Sequence, residues 1–427
     1  MNPFNCTALS PINLESETSI SVVIPGSKSS TIRAVFLAAL SQKITKISNV
    51  LISDDSLIMF SALRTLGITI DQINDTEIIV GGKIDYSNVR TTIHLGSSGL
   101  SMRLLLAHSA LFGEGTMYFS GDARLLERPI DSLSQCIRKL GGILNQRKGV
   151  IEIIPSSFLQ NPLDLTIDEH QTSQTISAFA MVFSSSPSGG LLRFGRLASS
   201  KSYLYLTSYW LRTFGCLQDI KSNNWYIPGN HLGNNLITIE GDWSGAAAFI
   251  LASATSGKPI EIYGLGTLEP QGDRYILEIL KKHAVKYKWK NNALSIEGRI
   301  SGSIDEDLSN CLDLAPVLSA ACTVGDSVCR LRGLRNLRGK ESDRFGGIQN
   351  LIEWLGGSYE IIDDDAIKIY PRNKVIFPKA PFDPNNDHRM AFAAALGCLK
   401  SGGLILNPTC VNKTFPTFWK AWSSLVT

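Results

Sequence analysis

PGSKSSTIRAVFLAAL, Pro25 to Leu40, is the stretch from which the rest of the chain is read. A short apolar run (Val22, Val23, Ile24) enters a small polar loop, Gly26 to Ser30, and from Arg33 onward the sequence is almost uncharged. That order predicts a strand, a turn and a buried helix. Gly26 allows the sharp turn, and the serine hydroxyls are expected to cap the helix start. Backbone N–H groups at such a start, with Lys28 and Arg33 beside them, form an anion site. Taken alone, the stretch reads first as a capped core helix.

Repetition changes that reading. A polar turn opening a small-residue apolar helix occurs six times, at Lys28, Ser98, Ser173, Trp243, Asp313 and Asp387, at intervals of 70, 75, 70, 70 and 74 residues. A second helix follows in most copies and ends on an apolar residue plus glycine, as in SALRTLG, QCIRKLGG, SYWLRTFG and NLIEWLGG; the fourth copy, LEILKKHAV, has Ala284 there. Glycine at that place is a helix C-cap signal. Alternating runs around Asn/Asp/Gly turns, such as ITIDQINDTEIIV and SYEIIDDDAIKIY, predict hairpins. Each copy therefore reads strand, helix, strand, helix, strand, strand. The sixth stops at Thr427 without its hairpin, and the N-terminal stretch belongs to no copy. We expect that stretch to complete the C-terminal half. This gives two domains of three repeats, 27–240 and 1–26 plus 241–427, with the chain crossing between them near Pro25–Ser27 and Glu240–Gly241.

Composition narrows the function. The chain has 427 residues, 44% hydrophobic and 19% charged, with a net charge of +3. These values suit a soluble globular protein and give no case for nucleic-acid binding. The basic run Lys281–Lys290 alternates with Val285, Tyr287 and Trp289, the pattern of a solvated strand face. Eight scattered cysteines contain no C-x-x-C pair and read as reduced, small hydrophobes, and six histidines show no metal-ligand spacing. The opening MNPFNCTALSPINLE lacks the basic and apolar regions of a secretory signal, and no apolar run is long enough to span a bilayer. A cytoplasmic location is expected.

Chemistry-bearing residues gather at the helix starts and in a few loops. NLRGKESDR, Asn336–Arg344, carries five charges in seven positions, with Glu341 between Lys340 and Arg344. A carboxylate among cations keeps a low pKa unless burial and a bound anion raise it. In GDARLLERP, Gly121–Pro129, Arg124 and Arg128 are expected one helical turn apart, a pair of guanidinium forks suited to phosphate or carboxylate. NDHRM places His388 and Arg389 on a first helical turn, and NKTFP places Lys413 just past a strand. Thr172, Ser173, Gln174, Ser200 and Tyr203 supply neutral donors of the kind that recognise a polyol. Asp313, alone before an apolar helix, reads either as a buried N-cap or as a catalytic carboxylate.

Together, PGSKSSTIR, LGSSGLSMR, GDARLLERPI, TSQ, SKSY, GDWSGAA, the Asp313 helix, NLRGKESDR, NDHRMA and NKTFP resemble, in order and spacing, the 5-enolpyruvylshikimate-3-phosphate synthases (3-phosphoshikimate 1-carboxyvinyltransferases) over essentially the whole chain. The resemblance implies an α/β (α+β) two-domain enolpyruvyl transferase fold, six βαβαββ repeats around an interdomain cleft. It implies transfer of the enolpyruvyl group of phosphoenolpyruvate to the 5-hydroxyl of shikimate 3-phosphate with release of phosphate, in a monomer, without metal or cofactor. By matching motif, Lys28, Ser29, Arg33, Thr172, Ser173, Gln174, Ser200, Tyr203, Asp313, Asn336 and Lys340 look like shikimate 3-phosphate contacts. Lys28, Gly99, Arg124, Gln174, Glu341, Arg344, Arg389 and Lys413 look like the phosphoenolpyruvate set, to which the inhibitor glyphosate also binds in this family. Asp313, Glu341 and Lys28 look catalytic, Asp313 as base and Glu341 as proton donor. The glycine turn departs from the usual GNAGT or GNSGT: Ser97 replaces asparagine and Leu100 replaces threonine. The related UDP-N-acetylglucosamine enolpyruvyl transferase is the nearest rival, but its usual cysteine is missing from 121–129. A non-catalytic anion-binding relative is the other, and the presence of Lys28, Asp313 and Glu341 speaks against it.

Overall fold

The computed structural model describes residues 6–12, 20–159, 161–167, 173–195, 199–221, 223–229 and 232–425. The chain divides into two compact units, Gly26–Glu240 and Met1–Pro25 with Gly241–Thr427. Each has its own apolar core.

Six nearly uncharged helices form the centres of these cores. They are Lys28–Ser41, Gly99–Phe112 and Gln174–Phe183 in one unit, and Trp243–Ser256, Ala315–Val324 and His388–Gly397 in the other. Apolar on every side, they are stable only when covered all round. Sheets supply the cover. Among the described residues, five four-stranded sheets share one plan: a first strand runs parallel to the second, and a hairpin adds two antiparallel strands. In the fifth repeat, Asp305–Asp307 lies parallel to Cys329–Arg332, which pairs with Ala366–Tyr370 and through it with Ser358–Asp363. Within the basic run, Lys286–Lys290 is an outer strand whose lysines are exposed, and Lys288 forms an ion pair with Glu297.

Two sheets take their first strand from a distant part of the chain. Ile20–Val23, which precedes the Lys28 helix in sequence, pairs with Ile260–Tyr263 in the fourth repeat. The first repeat instead receives Leu236–Thr238, parallel to Thr45–Ser48. Each unit is thus closed by a strand from its far end in sequence. Cys6–Leu9 pairs antiparallel with Gly403–Leu406, and Phe382 bridges Ile405 on a parallel path. This small sheet stands where the sixth repeat lacks a hairpin. The passages are pinned by backbone bonds: Ser27 N–H donates to the Glu240 carbonyl (2.9 Å) in one unit, and Asp242 N–H to the Pro25 carbonyl (3.0 Å) in the other. Gly26 is required at the turn, since a Cβ there would lie 1.9 Å from the Asn49 carbonyl oxygen.

The cap expected ahead of the Lys28–Ser41 helix does not form through Ser27. Ser27, Ser98 and Ser173 precede the three buried helices of the Gly26–Glu240 unit, and none accepts a cap hydrogen bond through its side chain. Ser98 Oγ instead bonds Ser101 Oγ at 2.7 Å, and Ser173 Oγ is buried with no partner. In the other unit Asp242 accepts from Gly245 N–H (2.9 Å) and Asp387 from Arg389 N–H (2.9 Å). The eight cysteines are free thiols, seven of them buried. No helix among the described residues is long and apolar enough to cross a membrane.

The glycines after the second helices adopt the left-handed conformation, with φ of 88° at Gly67 and Gly141, 86° at Gly215 and 82° at Gly356. Ala284 holds the same place at φ 55°. Its Cβ makes that conformation costly. Ala284→Gly is therefore expected to stabilise the fold by about 0.5–1 kcal/mol, net of the extra chain entropy of glycine. Urea denaturation of the two proteins measures it.

Candidate active site

In the unit of repeats 4–6 the charged side chains converge at the starts of the three buried helices. Arg344, 1% exposed, opens the Arg344–Trp354 helix and is the hub. Its Nε donates to Asp387 Oδ2 (2.7 Å), its Nη1 to Asp313 Oδ1 (2.6 Å), and its Nη2 to Glu341 Oε2 (2.8 Å) and Asp387 Oδ1 (3.2 Å). Burial opposes the charge of Arg344, yet Asp387, Glu341 and Asp313 raise its proton affinity well above the ordinary arginine value. Asp387 also accepts from Ser342 Oγ (3.0 Å).

Asp313 sits on the Leu312–Leu314 turn, just ahead of the Ala315–Val324 helix. Besides Arg344 it faces Arg389 Nη2 at 3.5 Å and Lys340 Nζ at 4.0 Å. Burial alone would raise its pKa, but Arg389, Lys340 and Arg344 hold it well below the usual carboxylate range. Arg389, 5% exposed, has Nε and Nη1 buried with no hydrogen-bond partner. Burial disfavours its charge, while Asp313, Asp242 and Asp273 favour it, and the net effect is a raised pKa. Lys413 Nζ donates to the Asn386 carbonyl (2.9 Å), beside the start of the same helix.

Asp273 belongs to no motif quoted above. It lies on the Gly272–Tyr275 turn, which packs on the Asp313 turn. Gln271 fixes that turn to the Trp243–Ser256 helix, accepting from Trp243 N–H (3.0 Å) and donating to the Gly241 carbonyl (3.0 Å). The Ser244 hydroxyl donates to Asp273 Oδ2. Burial first, then the neighbouring Asp313 and Asp242 carboxylates, push the Asp273 pKa up to about 8. At neutral pH one carboxyl of this group carries a proton while Asp313 remains charged.

The unit of repeats 1–3 presents a different surface chemistry. Lys28, first residue of its helix, pairs with Asp55 Oδ2 at 2.9 Å, and Ser97 Oγ donates to Asp55 Oδ1 at 3.5 Å. Arg33 is buried one turn further on; its Nε donates to Thr207 Oγ1 (2.9 Å), its Nη1 to the Ser29 carbonyl (3.0 Å), and its guanidinium lies 5.7 Å from the Tyr203 ring centroid. Ser200 is buried with φ 62°, and its carbonyl accepts from Tyr203 N–H (3.2 Å). Ser173 and Gln174 open the third buried helix, whereas Thr172 lies outside the described residues. Asn336 is half-buried on the Arg335–Gly339 turn of the other unit.

The two arginines of GDARLLERP do not stand one helical turn apart. The helix is short, Ala123–Glu127, and Arg128 leaves it with an extended backbone (φ −69°, ψ 136°) because Pro129 follows. Arg124 pairs with Glu127 at 3.2 Å on a part-exposed surface. Arg128 is the one beside the glycine turn: a Cβ on Gly99 would meet its Nη1 at 2.3 Å and its Cζ at 2.7 Å. Its Nε is buried with no hydrogen-bond partner. Leu100 packs, partly buried, against the core of this unit.

The model of the family EPSP synthase (3-phosphoshikimate 1-carboxyvinyltransferase) matches residues 13–422. The chain belongs to the EPSP synthase family. The 3-phosphoshikimate 1-carboxyvinyltransferase of Haemophilus ducreyi is 30% identical over 442 residues, covering 100% of this chain and 99% of that protein. The protein of the same name from Haemophilus influenzae strain PittGG is 30% identical over 431 residues, 98% of each chain. Among solved structures, an EPSP synthase from Acinetobacter baumannii superposes with a TM-score of 0.78 at 20% identity, covering 99% of this chain and 98% of that one. The enolpyruvyl transferase NikO from Streptomyces tendae gives 0.75 at 16% identity, over 99% and 98%. The fold is that of the enolpyruvyl transferases, and this member of the EPSP synthase family is a shikimate-pathway transferase, a 3-phosphoshikimate 1-carboxyvinyltransferase.

Motif reading named both arginines of GDARLLERP but carried only Arg124 into the phosphoenolpyruvate set, and it missed Asp55, Asp387 and Asp273 as members of these clusters. Pro129 was the available signal for Arg128, and the NDHRM helix start for Asp387; nothing local marks Asp273. Two measurements follow from the geometry. Arg344→Met removes the cation that Asp313, Glu341 and Asp387 share and is expected to cost about 3–5 kcal/mol in urea denaturation. Between the ordinary aspartate value and about 8, the folded chain keeps a proton on Asp273 that the unfolded chain has released. Its contribution to stability is therefore complete at acid pH, falls as pH rises, and is gone above about 8. Asp273→Asn removes this fall, so the variant should lose less stability than the parent between pH 5 and 8.

Proposed function

We propose that the two clusters divide the reaction between them. The serine-preceded helix starts, with Lys28, Ser29, Arg33, Ser173, Gln174, Ser200 and Tyr203, together with Thr172, Asn336 and Lys340, bind shikimate 3-phosphate. The positive ends of the helix dipoles favour its phosphate, and hydroxyl and amide groups suit its ring hydroxyls. Arg389, Lys413, Arg344, Gln174 and Gly99 bind phosphoenolpyruvate, with Arg128 in the place first given to Arg124. Arg128 is preferred because its guanidinium adjoins Gly99 while Arg124 turns to Glu127.

Asp313 and Glu341 are assigned the proton transfers. The 5-hydroxyl oxygen forms a bond to C2 of phosphoenolpyruvate as Asp313 accepts the hydroxyl proton and Glu341 gives one to the methylene carbon. Collapse breaks the C2–O bond to phosphate, and the methyl carbon returns its proton, so the enol double bond is restored. Lys28 stands beside the helix start to stabilise the charges that move. The observation that carries this reading is the Asp313–Arg389 contact, with Nε and Nη1 of Arg389 unpartnered. Without substrate, the surrounding cations make Asp313 a weak base. Anionic substrates would engage Arg389 and Lys340, weaken their hold on the carboxylate and raise its affinity for a proton. Substrate binding thereby switches on the base.

Release of phosphate from phosphoenolpyruvate, measured with and without shikimate 3-phosphate, tests the assignment. Asp313→Asn and Glu341→Gln should each lower turnover by at least ~10²-fold with an unchanged circular dichroism spectrum. Near-normal turnover in either removes that residue from the mechanism. Arg128→Gln should raise the KM for phosphoenolpyruvate by about tenfold or more, the scale of a lost charge-assisted hydrogen bond, while Arg124→Gln changes it little.

A further inference from the structure

The three buried helices of the Met1–Pro25, Gly241–Thr427 unit begin at the carboxylates Asp242, Asp313 and Asp387, and at their other ends lie three cations. Arg372 follows the Ala366–Tyr370 strand, and its backbone N–H donates to the Thr323 carbonyl (2.9 Å) at the end of the Ala315–Val324 helix. Lys400 lies just past the His388–Gly397 helix and is half-buried. Arg299 lies beside the end of the Trp243–Ser256 helix: its Cβ is 3.9 Å from where a Cβ on Gly257 would stand, and the next residue, Ile300, donates its N–H to the Ala254 carbonyl (2.7 Å).

Among the described residues, the charges of this trio are not balanced by side chains. Arg372 is only 9% exposed, and its Nη1 is buried with no hydrogen-bond partner. Burial lowers its pKa, and the one side chain favouring its charge is the thiol of Cys398. That thiol is itself pushed up to about 12 by burial and is neutral at physiological pH. The pKa of Lys400 is lowered by burial, then by repulsion from Arg299 and Arg372. The negative ends of three helix dipoles make the location tolerable for cations. They leave the buried guanidinium N–H of Arg372 without an acceptor, and a buried polar group without a partner is costly.

We propose that Arg299, Arg372 and Lys400 form a binding site for a small, multiply charged oxyanion of the phosphate or sulfate type, apart from the catalytic cluster. Two further acceptor oxygens and two negative charges would satisfy Arg372 and relieve the repulsion among the three cations. The ten-residue Ala315–Val324 helix separates this site from Asp313 by about 15 Å.

Thermal unfolding of the full chain in sodium phosphate and sodium sulfate, against sodium chloride at matched ionic strength, tests the proposal. The wild type should show a saturable rise in midpoint with phosphate and sulfate beyond that in chloride. Arg372→Gln should lose this component. Lys400→Gln should need about tenfold more anion for the same rise, the scale of one charge-assisted hydrogen bond. Stabilisation through the catalytic cations is told apart by Arg389→Gln, which leaves the Arg372-dependent rise in place. Without added oxyanion, Arg372→Gln should be no less stable than the wild type, since it removes an uncompensated buried charge; a purely structural arginine would give the opposite sign. Superimposable phosphate curves for wild type and Arg372→Gln, or equal rises in phosphate and chloride, overturn the proposal. If Arg372→Gln does not fold, an unchanged phosphate curve for Lys400→Gln overturns it equally.

Discussion

A single buried guanidinium, Arg344, draws Asp313, Glu341 and Asp387 together, each within hydrogen-bond distance of one of its nitrogens. Three carboxylates cannot be gathered in an apolar interior unless a cation neutralises them, and the cation cannot be buried without them. Each member comes from a different loop or helix start of the fifth and sixth repeats, so the cluster forms only when those repeats are docked. Arrangement of the chemistry and folding of this unit are, at this point, the same event. Arg389 completes the balance: it reaches Asp313 with one nitrogen and keeps two others unengaged.

The two units apply one repeat to opposite electrostatic ends. Ahead of the first three buried helices stand serines whose side chains make no cap hydrogen bond, at the positive end of each helix dipole. In the last three, aspartates occupy the corresponding places, two of them as side-chain caps, and draw arginine and lysine inward. Serine or aspartate ahead of a buried helix thus separates helix starts left to their dipoles from helix starts where carboxylates hold cations. Within the second kind, Asp273 avoids adding a further charge to the group by keeping its proton.

Much of this was legible in the sequence. The period of the buried helices, their lack of charge, and the glycine after each second helix predict the repeat because each signal is local: burial all round, or a φ only glycine adopts easily. Ala284 shows the rule by exception, since it takes the same conformation without being glycine. What stayed hidden depends on partners far away in the chain. Ile20–Val23 and Leu236–Thr238 are both short strands before a turn, and nothing local in either names its partner strand; only the missing hairpin of the sixth repeat directs the N-terminal stretch to the C-terminal half. The spacing of Arg124 and Arg128 suggested one helical face, but Pro129 turns the second arginine out of the helix toward Gly99. Serine hydroxyls fit the pattern of caps and yet bond elsewhere or not at all. Asp273 carries no signature because its proton is set by burial and neighbouring charge, which only the assembled fold supplies.

The exchange of first strands also sets an order of assembly. Gly26–Glu240 is one continuous stretch whose opening sheet is closed by Leu236–Thr238, so every strand it needs has been made once residue 238 has been synthesised. The strands ahead of it meet a different fate. Ile20–Val23 is made before that whole unit and has no partner until Ile260–Tyr263 exists, and Cys6–Leu9 must wait for Gly403–Leu406. On a chain growing from its N-terminus, one half can reach its final form while the leading segment is still an unpaired edge, exposed to wrong pairing for most of translation. The last loops to close are the longest in the molecule, and closing them completes the half that carries Asp313.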